Sequence, residues 1–472
     1  MVLNRTATFL ILFASAVIVR LLFHFLSGFT VDDAFITFRY AENLVSGHGF
    51  VFNLGEKVLG TTTPLFTFLI SIFLLFNMTA LNAALLINLI CSGLTAIVIF
   101  QFARHLRFNV WSFVPALIYI LWPRSLAADS SGMETAFFTL LVTSAWYFQH
   151  RQLYFYSVGM ATLACVTRPE GFFLLGLLII YNAIKDSRNI WAYLIVPALI
   201  IIPWFIFSYL YFGTIVPSSI SGKLALYSHV PFDTPWEKFD YIMGLKNPFG
   251  WIMLSVAIVG GWWLHKKQNF GQLEILWIVG MVAFHTFSRT TLFFWYVTPV
   301  YPMLILFAAA AIPFLWERFG AASVRFGWMR LTMGVVMVFG LLVMDYRHMN
   351  FYKEYARYLN DVHKSIGLYL RENAKPTDVV AARYIGHTGY YSNLKILDRD
   401  GMVTPRADSY NREGNFIGFI LDNRPEWVVA APSRLQGAFA NSGEFLDNYH
   451  KVKTFGWEER VIHNIYRRTN GR

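Results

Sequence analysis

Apolar runs of about 20 residues, bounded by basic or aromatic side chains, recur along most of this chain, and that is the length an α-helix needs to cross the hydrocarbon of a bilayer. In lipid every backbone N–H and C=O must be satisfied internally, so runs of this kind are confined to helical spans. Composition agrees, since 56% of the residues are hydrophobic and only 14% charged, against about a quarter charged in soluble domains. Phe, Trp and Tyr reach 18%, which suits interfacial anchoring. A formal net charge of +11 would suggest nucleic acid as a partner of a soluble protein. Here the basic residues sit in short loops between apolar runs, so topology accounts for them and no nucleic-acid partner is expected. Cys91 and Cys165 lie inside apolar runs and offer neither a disulfide framework nor a metal cluster.

Eleven spans are expected, near Thr6–Leu26, Leu81–Ala103, Val110–Leu126, Met133–Phe148, Leu153–Val166, Gly171–Ile184, Ile190–Phe212, Phe249–Leu264, Gln272–Phe287, Leu292–Pro313 and Trp328–Met344. The first is read as an uncleaved span, because its run is long for a secretory signal. Pro64–Phe76, about 13 residues, is short for a crossing and is placed at the interface or half-buried. With the N-terminus inside, the inner loops then collect Arg104, Arg107, His150, Arg151, Lys185, Arg188, Lys266, Lys267, Arg318, Arg325 and Arg330, as the positive-inside rule requires.

The same layout puts outside the large loops 27–80 and 213–248, the short stretches Pro123–Gly132, Thr167–Glu170 and Ser288–Thr291, and everything after Asp345. Two regions are expected: a membrane region over 1–350 and a soluble extracytoplasmic α/β domain over 351–472. In the latter, Tyr352–Glu372 reads as an amphipathic helix, and Asp378–Ala382, Lys395–Asp398, Glu426–Ala431 and Val461–Tyr466 as short strands.

Ionisable groups on the outer side are the candidates for chemistry. Asp32 and Asp33 open the first outer loop, followed by Arg39, Glu42, His48, Glu56 and Lys57. An aspartate pair here either caps the helix Ala34–Val45 or supplies a general base, with the second carboxylate orienting the acceptor or holding a divalent cation near phosphate. Asp129 and Glu134 sit at the outer end of a span, where a charge is costly unless paired. Thr167-Arg168-Pro169-Glu170-Gly171 places opposite charges in a tight turn, which a simple ion pair also explains. A departing lipid phosphate needs cations at this interface, and Arg168, Lys223 and Arg289 meet that need. Lys223 as a solvated loop lysine and Arg289 as a headgroup contact are the plainer readings. His285, Trp295 and Tyr296 read as packing. GxxxxGK[ST], HExxH and zinc-spaced His/Cys clusters are absent, and Gly386-His387-Thr388-Gly389 lacks the spacing of a dinucleotide fingerprint.

The block Asp32-Asp33-Ala34-Phe35-Ile36-Thr37-Phe38-Arg39-Tyr40-Ala41-Glu42-Asn43-Leu44, continued by Gly47-His48-Gly49-Phe50-Val51-Phe52-Asn53, Gly55-Glu56-Lys57-Val58 and Thr63-Pro64-Leu65, resembles the first outer loop of GT-C membrane glycosyltransferases in the branch of terminal arabinofuranosyltransferases. Ser131-Gly132-Met133-Glu134-Thr135, Thr167-Arg168-Pro169-Glu170-Gly171, Gly389-Tyr390-Tyr391-Ser392 and Asp398-Arg399-Asp400-Gly401 resemble further blocks of that branch. The resemblance implies a polytopic enzyme whose site faces outward, a polyprenyl-phosphate sugar donor, a glycan or lipid acceptor, inversion at the anomeric carbon and a loop aspartate as base. Asn53-Leu54-Gly55-Glu56 and Leu59-Gly60-Thr61-Thr62 depart from the branch pattern and leave the sugar open.

The expectation is thus an inverting glycosyltransferase of a bacterial plasma membrane. Asp32 is expected as base with Asp33 as second candidate, Arg168, Lys223 and Arg289 on phosphate, and Arg39, Glu56, Lys57, Asp129, Glu134 and Glu170 in support. A non-catalytic carrier of lipid-linked glycan is the alternative from another class. It would need polar groups across the membrane depth, whereas these charges gather at one face.

Overall fold

The computed structural model describes residues 4–227, 234–246, 248–319, 349–430, 437–457 and 460–469. The expected span Trp328–Met344, with Arg325 and Arg330, lies outside the described residues. Among the described residues, four helices are long and apolar enough to cross a membrane: Arg5–Ser27, Ala80–His105, Ser187–Phe212 and Phe294–Arg318. Asn109–Ile120 and Pro123–Ser130 add a fifth if the pair, bent by 55°, is one span. Leu121-Trp122-Pro123 makes the bend, because Pro123 lacks the N–H that would continue the helix and suits the first turn of the next. Pro64–Leu74, Gly171–Lys185 and Gln272–Phe287 are shorter apolar helices. At 11 residues and about 1.5 Å per residue, Pro64–Leu74 falls well short of the bilayer's ~30 Å core. The chain is a multi-pass helical membrane protein with a small sheet domain near its C-terminal end.

The chain packs as two compact units. The first combines Met1–Phe29, Ala84–Trp204 and Asp233–Lys353 and holds most of the apolar helices. Polar groups inside it answer one another, as burial in an apolar bundle demands. Arg20 and Asp129 are each 1% exposed and form a 2.8 Å ion pair. Ser92 Oγ also donates to Asp129, at 2.8 Å, and Arg20 reaches the Ile120 carbonyl at 3.0 Å. His150 pairs with Glu274 at 2.5 Å, and Gln149 donates to Asn182 at 2.6 Å.

The second unit combines Thr30–Ala83, Phe205–Phe232 and Glu354–Arg472. Its centre is a five-stranded sheet of β1 (Val379–Ala382), β2 (Lys395–Asp398), β3 (Trp427–Ala430), β4 (Tyr449–Trp457) and β5 (Arg460–Arg468), in the order β2-β1-β3-β5-β4. β1 pairs in parallel with β2 and β3, while β5 runs antiparallel to β3 and β4. The three strands of the parallel part, β1, β2 and β3, are short and largely apolar, as strands covered on both faces are. The expected strands coincide with β1, β2, β3 and β5, with Ala431 outside the described residues. β4 was not expected. It is a mostly exposed edge carrying Lys451 and Lys453, and its polar face hides the alternation that marks a strand. The helix expected over Tyr352–Glu372 is helical but passes through a π segment, Leu359–Lys364, that buries His363 completely.

Candidate active site

The helix Asp32–Val45 begins two residues earlier than expected. Val31, with extended dihedrals of φ −117° and ψ 142°, is its N-cap, and no side chain caps it. Both aspartates therefore lie inside the first turn rather than at the cap position, where their charge suits the positive end of the helix. Their surroundings differ sharply.

Asp32 is 7% exposed, and its carboxylate faces the start of another helix of the same unit, Ile385–Ser392. Oδ2 accepts the Gly386 N–H at 3.0 Å, while Oδ1 accepts the His387 N–H at 2.8 Å and His387 Nδ1–H at 2.9 Å. The carboxylate thus caps a helix 355 residues away. Gly386 makes this approach possible, because a Cβ there would stand 1.8 Å from the Asp32 carbonyl oxygen. Burial alone would raise the Asp32 carboxyl pKa; the hydrogen bonds and charge of His387, together with the charge of His363, outweigh it and leave the pKa lowered.

Asp33 keeps a side chain 30% exposed and sits 3.6 Å from Lys223 Nζ, which is 23% exposed. Burial pushes its carboxyl up; Lys223 opposes this, while the nearby charges of Asp32 and Asp400 add to it. Lys223 comes from the helix Ser218–Leu226. Ser218 anchors that helix by donating to the carbonyls of Leu59 (3.1 Å) and Met402 (2.6 Å). Gly222 seats it on the Asp400-Gly401 turn, where a Cβ would meet the Asp400 carbonyl at 2.8 Å. Asp400 in turn pairs with Arg383 at 3.1 Å. Asp398 holds this turn closed by accepting the N–H groups of Asp400 and Val403, each at 2.9 Å, and burial together with Asp400 pushes its carboxyl up to about 7.

Residues of the segment Thr30–Ala83 tie it to the rest of its unit. Arg39 is buried and donates to the carbonyls of Gly389 (2.8 Å) and Leu394 (2.7 Å), with its guanidinium over the Phe52 ring. Glu56 pairs with Lys395 at 2.6 Å, and Asn53 exchanges two hydrogen bonds with the backbone of Ile396. Lys57 lies over the Tyr211 ring, and Glu42 accepts from Tyr390.

Arg168, Glu134, Glu170, Asp129 and Arg289 belong to the other unit. Arg168 is 3% exposed and bonded to Glu170 at 2.6 Å and Glu134 at 3.1 Å, so the turn's opposite charges do meet. Its guanidinium also lies over the Tyr296 ring, which makes Tyr296 part of this cluster. Asp129 is committed to Arg20. Arg289 is exposed in the turn after the helix Gln272–Phe287. Lys238 holds that turn through the carbonyls of Ser288 (2.5 Å) and Thr290 (2.8 Å).

Sequence reasoning passed over His387, Arg383 and Lys238. His387 was visible only inside Gly386-His387-Thr388-Gly389, where nothing in the local pattern points to an aspartate 355 residues earlier. At the aspartate pair the Asp32 oxygens accept N–H donors and Lys223 brings positive charge to Asp33. Among the described residues, no group of three or more His, Cys, Asp or Glu side chains is placed to hold a metal ion.

Residues 349–470 match a family model described as a domain of unknown function, DUF8728. The terminal β-(1→2)-arabinofuranosyltransferase of Mycobacterium tuberculosis is 24% identical over 258 residues, which span 48% of this chain and 39% of that protein. Among solved structures, ArnT from Cupriavidus metallidurans bound to undecaprenyl phosphate superposes with a TM-score of 0.61 at 14% identity, covering 98% of each chain. The Archaeoglobus fulgidus oligosaccharyltransferase gives 0.61 at 12%, covering 96% of this chain and 72% of that one. The arabinofuranosyltransferase AftD from mycobacteria gives 0.52 at 15%, covering all of this chain and 40% of its own. This chain has the fold of the GT-C membrane glycosyltransferases, and its sequence resembles their arabinofuranosyltransferase branch.

Proposed function

We propose that this protein is an inverting glycosyltransferase that moves a sugar from a polyprenyl-phosphate donor to a cell-envelope glycan, glycolipid or protein at the outer face of a bacterial plasma membrane. The observation that carries this reading is the divergence of two adjacent carboxylates: Asp32 is saturated by three N–H donors, while Asp33 is partly open and stands beside Lys223. Carboxylates whose proton affinities are pushed apart are a pattern of acid–base sites. The reading therefore moves the base from Asp32 to Asp33. Asp33 takes the proton of the acceptor hydroxyl as its oxygen bonds to the anomeric carbon; the bond from that carbon to phosphate breaks, its electron pair leaves on the phosphate oxygen, and the configuration inverts. Lys223 keeps Asp33 ionised and is the cation of this unit placed to meet the negative charge that develops on phosphate.

Two further features support a lipid-linked donor. Undecaprenyl phosphate occupies the ArnT structure whose fold this chain shares. The first unit also carries a groove of about 740 Å³, lined by apolar side chains including Trp236, Phe239, Trp262, Val282 and Phe307, which suits an isoprenoid tail. Exposed Arg289 is assigned to phosphate or headgroup contact. Arg168, already paired with two glutamates, would have to exchange one of them for phosphate, so its role is assigned to shaping the turn.

The test is transfer by the purified protein in lipid from a panel of radiolabelled polyprenyl-phosphate sugars to membrane glycan extract, with Asp33→Asn alongside. Transfer by the natural protein that falls by about 10²-fold or more in Asp33→Asn supports the reading. Transfer unchanged in Asp33→Asn removes that residue as base, and no transfer from any donor favours the carrier alternative.

A further inference from the structure

Resting on that reading of the site, the geometry points to His387 as a positioning residue of the active site: its imidazole holds the Asp32 carboxylate ionised and fixed, so that the proton taken from the acceptor goes to Asp33 alone. His387 is fully buried, and its ring is clamped by Phe35, 4.0 Å away centroid to centroid, and by Tyr391. Nδ1–H is therefore aimed at Asp32 Oδ1 with little rotational freedom. The two backbone N–H groups at the start of the helix Ile385–Ser392 complete the grip. The Asp32 charge raises the Asp33 carboxyl, so without this grip on Asp32 the two adjacent groups would compete for the proton.

The other groups around the pair do not replace His387. Lys223 serves Asp33, and Asp400 adds negative charge. Tyr355, Tyr358 and Tyr384 lie close enough to feel the Asp32 charge, and burial raises each of their pKa values, so they stay neutral. His363 also lowers the Asp32 carboxyl, but is itself pushed down to about 3 by burial and by His463, and among the described residues it makes no hydrogen bond to Asp32.

The test compares the pH profile of transfer for the natural protein, His387→Ala, His387→Asn and His387→Gln, each checked for thermal stability. The Asn amide places an N–H where Nδ1–H stood, whereas the Gln amide reaches the opposite edge of the ring. His387→Ala should lower kcat by about 10- to 100-fold with a smaller change in KM, the scale of one lost charge-assisted hydrogen bond. Its acidic limb should move to higher pH by about one unit, because a freed Asp32 raises the upper proton affinity of the pair. His387→Asn should recover most of both effects and His387→Gln little of either. An unchanged pH profile in a folded His387→Ala or His387→Gln, or Asn and Gln variants that behave alike, overturns the inference. Absence of transfer by the natural protein instead fails the reading of the site on which the inference rests.

Discussion

His387 Nδ1 lies 2.9 Å from Asp32 Oδ1, and with this bond the first turns of two helices, Asp32–Val45 and Ile385–Ser392, share one carboxylate. Parallel sheets usually present the helix N-terminus after a strand to an anion from outside. Here the helix after β1 receives its anion from Asp32, in the segment Thr30–Ala83. On the proposed mechanism, stability and the choice of base are thereby linked through a single side chain.

Asp32→Asn keeps the size of the side chain but removes its charge and presents an NH2 where an acceptor is needed. The expected cost is about 1–3 kcal/mol at neutral pH. The folded pKa of Asp32 is lowered, since His387 and His363 together outweigh burial, so its contribution is complete above the ordinary carboxylate range and is lost as pH falls through the folded value. Thermal unfolding in detergent should therefore show a gap between the natural protein and Asp32→Asn that narrows in acid. A gap independent of pH would contradict the assignment.

Removing Lys223 takes away the group that opposes burial at Asp33, so the Asp33 carboxyl rises further. Transfer needs the ionised form, and Lys223→Met should shift the acidic limb to higher pH besides lowering the rate. Gly222→Val should act on the same step without touching the charge. Its side chain would run into the Asp400-Gly401 turn and displace the helix that carries Lys223. Transfer assays across pH on both variants check this; a Gly222→Val protein with natural kinetics would show that the placement of Lys223 is not limiting.

Arg39 reaches two carbonyls at once, Gly389 O and Leu394 O, with its plane over Phe52. A lysine carries the same charge but no planar fork, so Arg39→Lys is not conservative here. A loss of about 1–2 kcal/mol is expected, together with faster proteolysis of the segment Thr30–Ala83. Digestion at the natural rate would show that the segment is held by Asn53 and Glu56 without Arg39.

Much of this was legible in the sequence because it rests on patterns that survive without tertiary information. Span-length apolar runs, basic loops and short apolar strands each carry a local period or composition, and helices such as Ala80–His105 follow from them. Lys223 beside Asp33 and Arg168 between Glu134 and Glu170 are pairings of residues already singled out by charge. What stayed hidden was what Asp32 faces. Its partners are backbone N–H groups and a histidine in an unremarkable Gly-His-Thr-Gly run, and helix N-termini leave no mark on the residue that will cap them from afar. The edge strand β4 and the π segment at His363 were hidden for related reasons: exposure erases the alternation of one, and the other is a register change inside a continuous helical pattern.

Arg20 and Asp129 give the last prediction, because their 2.8 Å pair is a charge couple inside an apolar bundle with no access to water. Removing one partner strands the other, so Arg20→Leu and Asp129→Leu should each destabilise by about 3–5 kcal/mol. The double variant strands nothing and exchanges both charges for apolar volume. It should therefore unfold above either single variant, with a coupling energy that measures the stranded charge rather than the worth of the pair. Thermal unfolding of the three variants in one detergent gives the cycle. Additive losses would mean that water reaches one of these side chains when its partner is gone, and the bundle around Arg20 would then be open on the side of Ser92 and Tyr119 that contacts Asp129.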